Sequence, residues 1–517
     1  MILICICLFF MNSCTSKNEN IKAPFSFPDK FQSLENSVIS GHSESYPLPE
    51  KWWENLGDPY LNKIIETGLG DNFTIQMAWD RLTQAEEILE QEGAQLLPSI
   101  EGRSLNQRAE FRDFFGNQVR TIWRSNFIVR FTANYELDLW GRLRANRDAQ
   151  AMRFLTTKED LHIAAISVTS EIALTWYQIL ELLAQKELLI SLEKASKKII
   201  DMASNRFKNG QITSLELIQQ TSNAQSISRE LALLEAELYL AKNQISNLIG
   251  KTISDSFIEN IIQEHISYSR TVTELDTTFL NEYNFNKSEF TVNILPDLKS
   301  NIPSIGIPVA VLNNRPDVKR AILEIREADY RTASAIADRF PQITLSASVG
   351  TNTLIFEEVL KQWLYGITGN IAGPVVDGGR RRSEVRRFQA ILSERINQYA
   401  DVLLRSVTEV ENAINREAKQ RDALESLVFQ KTLADKALAG AWKRYEKGAG
   451  TYLQVMDTEI SKNNVYRNLM TGKRLLLENR IGLLRAIAGS FELAKPEQKK
   501  LQEISKTQEN IDSDGIS

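Results

Sequence analysis

The sequence predicts an α+β membrane protein made of two tandem structural repeats, each a β-hairpin followed by long coiled-coil helices. Three observations predict it: an internal duplication at nearly constant spacing, extended segments that alternate apolar and charged residues, and heptad seams too long for one compact domain.

The totals set the frame. The chain has 517 residues, 25% of them charged, and a formal net charge of -5. A balance this mild gives no reason to expect a nucleic-acid partner. His42, His162 and His265 are far apart, so no histidine-rich metal site is expected. No glycine-rich phosphate loop or nucleophile motif appears, and most Asp and Glu residues fall on polar helix faces. An enzyme is therefore disfavoured, and no cofactor is expected.

The N-terminus carries all the cysteines: Cys5, Cys7 and Cys14. Residues from Met1 to Met11 are almost wholly apolar and lead through Asn12 and Ser13 to Cys14. That stretch is too short to span a bilayer and has the shape of a secretory signal. A Cys in this place resembles the cleavage box of bacterial lipoproteins. The resemblance implies a signal peptide over 1–13 and covalent lipid on Cys14, with Thr15 leaving the outer membrane as the destination. Residues 14–50 are polar and hold Pro24, Pro28, Pro47 and Pro49, as in a tether.

The duplication follows. One offset relates Ala78 to Ala321, Ala85 to Ala328, Ala94 to Ala337 and Pro98 to Pro341. A slightly smaller one relates Gly141-Arg142 to Gly379-Arg380, Arg206 and Gly210 to Arg444 and Gly448, and Leu215 to Leu453. Repeat one is placed at 51–250, with its hairpin at about 98–140 and its long helices at about 142–250. A linker at 251–313, holding Pro296, Pro303 and Pro308 and showing little periodicity, leads to repeat two at 314–489. There the hairpin is expected at about 341–377 and the helices at about 379–489, with a polar tail at 490–517.

Within each repeat a helix comes first, Asn72 to Gln95 and Pro316 to Asp338, and Pro98 or Pro341 ends it. The strands follow. Trp123, Phe127, Val129, Phe131, Ala133, Tyr135, Leu137 and Leu139 alternate with Arg124, Asn126, Arg130, Thr132, Asn134, Glu136 and Asp138, with Ser125 and Ile128 out of phase. Ile343, Leu345, Ala347 and Val349 alternate with polar residues in the same way, as do Tyr365, Ile367 and Ile371; the first strand is weaker and mostly polar. One apolar and one charged face fit a barrel with lipid outside and water inside. Four strands cannot close alone, because the smallest barrels need about eight, and an open edge is not tolerated in lipid. Three copies would give a closed barrel of twelve strands, with cyclic symmetry. Trp123, Trp140, Trp363 and Tyr365 are candidates for an interfacial aromatic belt.

The long helices come last. Ile227, Leu231, Leu234, Leu238, Ala241, Ile245 and Leu248 form a heptad seam, as do Leu161, Ala165, Val168, Ile172, Thr175, Ile179 and Leu182. No proline occurs between Ser99 and Leu295 or between Val375 and Lys495. A helix from Arg142 to about Phe207 would run ~100 Å at ~1.5 Å per residue, enough to cross a periplasm. Gly210 and Gly448 mark the turns where such helices reverse.

The motifs Trp52-Trp53-Glu54-Asn55-Leu56-Gly57-Asp58-Pro59, Tyr135-Glu136-Leu137-Asp138-Leu139-Trp140-Gly141-Arg142, Asn314-Arg315-Pro316-Asp317-Val318, Asp377-Gly378-Gly379-Arg380 and Arg444-Tyr445-Glu446-Lys447-Gly448, in this order, resemble the TolC-type outer-membrane factor family in its lipoprotein branch. The resemblance implies a homotrimer with a transmembrane barrel of twelve strands and a periplasmic α-helical tunnel. It implies a passive exit duct for small molecules, working with a periplasmic adaptor protein and an inner-membrane pump. Export of proteins with an ABC-type pump is the alternative, and a coiled-coil adhesin lipoprotein would leave the duplicated hairpins unexplained. The resemblance places a periplasmic gate at Tyr445, Leu453 and Asp457. It places adaptor-docking tips at Gly210, Ser214, Leu215, Gly448 and Tyr452.

Overall fold

The structure is a computed structural model, and it describes residues 51–115, 118–252, 254, 256–277, 294–298 and 312–495. Cys14 and the expected signal and tether lie outside the described residues, as does most of the polar tail. After a 3-10 turn at Trp52–Leu56 come α1 (Pro59–Asp71), α2 (Phe73–Ala94), β1 (Ser99–Phe115), β2 (Gln118–Leu137), α3 (Arg142–Lys208) and α4 (Ser214–Leu248). They are followed by α5 (Phe257–Thr277), α6 (Pro316–Ala337), β3 (Gln342–Thr353), β4 (Leu364–Ala372), α7 (Arg380–Glu446) and α8 (Tyr452–Ile487). The chain forms two compact units, each drawing on both halves of the sequence.

The first unit takes in residues 80–160 and 317–402 and holds the sheet. Its four strands lie in sequence order, β1-β2-β3-β4, every pair antiparallel. β2 is therefore the seam between the repeats, paired with its own hairpin partner on one side and with β3 on the other. Asp138 starts α3: its carboxylate accepts from the backbone N–H of Leu143 and Arg144, at 3.0 and 2.9 Å. Asp377 starts α7 in the same way, accepting from Gly379 and Arg381 N–H groups, and these bonds hold its carboxyl below the usual carboxylate range.

Of the described residues, the second unit takes in 51–79, 161–252, 254, 256–277, 294–298, 312–316 and 403–495. Its core is apolar and helical: Ile172, Trp176, Ile179, Ile245, Val410, Ile414, Leu483 and Leu484 are buried. Full burial of each such aliphatic side chain is worth ~1.5–3 kcal/mol. The 67-residue α3 contains a stretch apolar enough to cross a membrane, but 67% of that stretch is buried, so it is a core helix. The Gly57-Asp58-Pro59 motif becomes a joint. Gly57 closes the 3-10 turn at φ 67°, Asp58 caps α1 through Tyr60 and Leu61 N–H, and Pro59 fills the first turn, where no N–H is needed. The other Asp58 oxygen accepts from Trp176 Nε1 at 2.9 Å, tying the joint to α3.

One expectation fails here. The stretch read as a linker with little periodicity contains the helix α5, whose Ile258, Ile261, Ile262 and His265 are buried. Their spacing of three, one and three is a helix face.

Candidate functional site

The sheet is a two-sided surface, and the register decides which side chain goes where. Leu137 pairs with Ile343, which pairs with Ile371; Ala133 pairs with Ala347, which pairs with Ile367; Phe131 pairs with Val349, which pairs with Tyr365. Directly paired residues share a face. The apolar phases of β2, β3 and β4 thus coincide on one side. Arg130, Thr132, Asn134 and Glu136 share the other with Ser346, Ser348, Thr368 and Asn370. A slip of one residue would destroy this agreement on every strand.

β1 joins the pattern only in part. Its residues on the apolar side are Ile100, Gly102, Ser104, Asn106, Arg108 and Glu110, paired with Ala133, Phe131, Val129, Phe127, Ser125 and Trp123. Arg108 lies over the Trp123 ring, 5.3 Å from its centroid, so the charged end of the strand is covered by an aromatic.

Much of the apolar side is uncovered among the described residues: Tyr365 is 88% and Ile367 86% exposed, whereas toward the hairpin end Phe127 meets Phe356 edge to face and Thr351 and Thr353 are buried. β1 and β4 each pair on one side only. Two long edges and an uncovered apolar face in one sheet are what a soluble monomer avoids. Trp123 and Trp363 are exposed. Trp140 instead stacks on Phe340 at 4.8 Å and donates Nε1–H to the Pro341 carbonyl at 2.7 Å, joining the start of α3 to the start of β3.

The second candidate region is the pair of helix reversals in the helical unit. α3 ends when Gly210 takes φ 69°, with Gly210 N–H donating to Phe207 O and Gln211 N–H to Arg206 O, both at 2.9 Å. α7 ends identically at Gly448, φ 68°, with Gly448 N–H to Tyr445 O and Ala449 N–H to Arg444 O, both at 2.9 Å. This paired bond pattern terminates a helix only if the left-handed position is cheap, which is why glycine stands there. Thr213 then caps α4 by accepting from Glu216 N–H.

Between the reversals is an aromatic cluster. Tyr445 and Tyr452 meet edge to face at 5.4 Å, and Trp442 contacts both. Arg206 donates to the Tyr445 hydroxyl and lies over its ring. A cleft of about 110 Å³ is lined by Met202, Arg206, Ile212, Trp442, Tyr445 and Tyr452. Burial and the nearby Glu459 push the Tyr452 hydroxyl up to about 12. Leu453 and Asp457 sit one turn apart on α8, both exposed, and Ser214 and Leu215 begin α4, exposed too. The structure therefore joins Tyr445 to Tyr452 directly and leaves Leu453, Asp457, Ser214 and Leu215 on the surface.

Sequence reasoning missed Arg206 and Trp442 as members of this cluster. A signal existed for Arg206, since it is the repeat-one counterpart of Arg444 beside Tyr445. It also missed a buried charge centre elsewhere in the unit. Arg480 donates three bonds to the Glu417 carboxylate, at 2.6–3.1 Å, with both side chains inaccessible and Arg421 as a further partner.

No group of His, Cys, Asp and Glu that could hold a metal occurs among the described residues. A family model described as outer membrane efflux protein matches residues 64–251 and 307–489. The pyoverdine export outer membrane protein OpmQ of Pseudomonas putida is 24% identical over 88% of this chain and 91% of its own. Its namesake in Pseudomonas aeruginosa is 22% identical over 95% and 96%. The crystal structure of the Campylobacter jejuni CmeC outer membrane channel superposes with a TM-score of 0.78 at 18% identity, covering 95% of this chain and 98% of that one. With both halves of the chain matched and the two-sided sheet and long helices in place, this protein belongs to the outer membrane efflux protein family.

Proposed function

We propose that three copies of this chain form a passive exit duct in the outer membrane, the last component of a tripartite efflux pump for small toxic molecules. The observation that carries the reading is the sheet, with its exposed apolar face and two open edges. Closing β1 of one copy on β4 of the next would satisfy both edges and yield twelve strands, three times the four present. The apolar run from Phe127 to Leu137 on β2 would span about 34 Å of strand at ~3.4 Å per residue. Tilted by ~40°, that is about 26 Å, close to the ~25 Å apolar band of outer-membrane barrels. The OpmQ relatives are named for export of a small molecule, which supports small-molecule cargo over protein secretion.

In the same reading Cys14 carries lipid that anchors the N-terminus to the outer membrane. Tyr445, Leu453 and Asp457 form the periplasmic gate, three Asp457 carboxylates making a ring that favours cations. Gly210, Ser214, Leu215, Gly448 and Tyr452 meet the periplasmic adaptor's helices, and the adaptor joins the duct to the inner-membrane pump.

Deleting the gene tests the function. The deletion strain becomes sensitive to small toxic compounds, and expression from a plasmid restores resistance. Unchanged sensitivity together with loss of a secreted protein would contradict the small-molecule reading. The gate is tested in planar bilayers: Leu453→Ala raises conductance of the closed duct, and Asp457→Asn lowers its cation selectivity. Variants that match the parent in both respects would remove the gate from this position.

A further inference from the structure

The starts of α3 and α7 are the same element in two copies, and their charges are handled differently. In repeat one, Arg142 donates twice to Glu136 at 2.8 Å, and Arg144 pairs with Asp138 at 3.2 Å. At the repeat's own offset, Arg142 and Arg144 correspond to Arg380 and Arg382, while Glu136 and Asp138 correspond to Pro374 and Val376. Repeat two has kept the arginines but has no counterpart of Glu136, and its capping carboxylate, Asp377, pairs with Arg381 rather than with Arg380 or Arg382. A further exchange puts Arg386 where repeat one has Asp148.

The surplus is local. Between Asp377 and Arg387 there are five arginines and two carboxylates. Arg381 is taken up by Asp338 and Asp377, and Arg387 by Glu384. Arg380, Arg382 and Arg386 are exposed, and none has an ion pair within 4.0 Å among the described residues. Arg386 donates only to the Ser383 hydroxyl. Immediately before them the chain exposes an apolar step: Ile371 closes the apolar row of β4, and Val375 and Val376 are 97% and 90% exposed.

We infer that Arg382 and Arg386, one turn apart on the same face of α7, form a docking collar for the phosphate headgroups of anionic phospholipids. The inference rests on the barrel reading above, which puts the apolar row of β4 in hydrocarbon and the start of α7 at the lipid headgroups. The chemistry follows from the juxtaposition. Val375 and Val376 rest against acyl chains, and the guanidinium groups a few residues on reach the phosphates with several donors each. A fixed positive surface beside lipid gains about fivefold in anionic-lipid affinity per exposed arginine. Repeat one makes no such collar, because Glu136 and Asp138 already take up Arg142 and Arg144.

The test uses the purified full-length protein in bilayers of phosphatidylglycerol mixed with phosphatidylcholine of the same acyl chains, with bound lipid counted by native mass spectrometry after release into detergent. The wild type retains phosphatidylglycerol in preference by about twenty-five-fold, two arginines at about fivefold each. Arg382→Gln with Arg386→Gln brings the ratio close to parity. Val376→Asp, which adds a second carboxylate beside Asp377, lowers it as well. Lys419→Gln with Lys436→Gln, an equal loss of charge on exposed positions farther along α7, leaves it unchanged. Equal retention of the two lipids by the wild type, or a preference that survives the arginine substitutions, overturns the collar while leaving the barrel intact. Displacement of the lipid by inorganic phosphate overturns it too, since the patch would then bind a free ion. A chain that enters no bilayer overturns the barrel and the collar together.

Discussion

On β4, Tyr365, Ile367 and Ile371 are each more than two-thirds exposed, whereas in α3 and α8 Ile172, Trp176, Leu483 and Leu484 are sealed from solvent. Both regions use the same residue types. The helical unit packs its apolar residues inward and leaves charge on its surface. The sheet does the reverse, with Arg130 and Glu136 on one side and an uncovered apolar band on the other. A chain folded for a single solvent has no reason to do both. The difference teaches that the two regions answer to different surroundings, lipid for the outer side of the sheet and water for the helices.

The comparison can be broken most strongly at the buried charge centre. Arg480→Met leaves Glu417 inaccessible and without its main partner, and losing one member of such a pair costs ~3–5 kcal/mol. The expected result is a large fall in the denaturant midpoint of the helical signal; an unchanged midpoint would mean that water reaches this site. Next comes the sheet. Ile367→Arg puts charge on the lipid side and costs ~2–4 kcal/mol near the bilayer midplane. Ile367→Ala has little effect, although the same truncation at buried Ile172 costs ~2–5 kcal/mol. Heat resistance of the detergent-extracted assembly reads all three, and a tolerated Ile367→Arg would place that side of the sheet in water.

The smallest effect is a pH response at the helix reversals. Burial holds the Glu459 carboxyl above the ordinary carboxylate range, with Lys462 opposing. The folded tip therefore keeps this proton at pH values where the unfolded chain has lost it. The stability linked to it is present below the ordinary carboxylate value and is lost as pH rises through the folded value. Hydrogen exchange along the first turns of α8, corrected for intrinsic rates, slows on mild acidification in the wild type. In Glu459→Gln that change is absent; a Gln variant with the full pH response would assign it elsewhere.

Much of this was legible before the structure. The strand alternation named the two sides of the sheet, because a period of two admits one assignment per strand, and Gly210 and Gly448 named the reversals. Asp58 and Pro59 could be seen as a motif, though not as a cap bound to Trp176. What the sequence withheld was contact between distant elements. Glu417 and Arg480 lie 63 residues apart, and Arg206 and Tyr445 lie 239 apart. The periodicity of each helix fixes its buried face but not its register against a neighbour. The gate residues remain a reading by resemblance, for Leu453 and Asp457 are exposed in the single chain.

The most direct test of the central claim is the native mass of the full-length protein extracted in mild detergent. Three chains per particle, persisting across detergents, is the result this account predicts, because the open edges of β1 and β4 then find each other. A stable single chain would contradict it, since four strands with an exposed apolar side have no other way to close in a membrane.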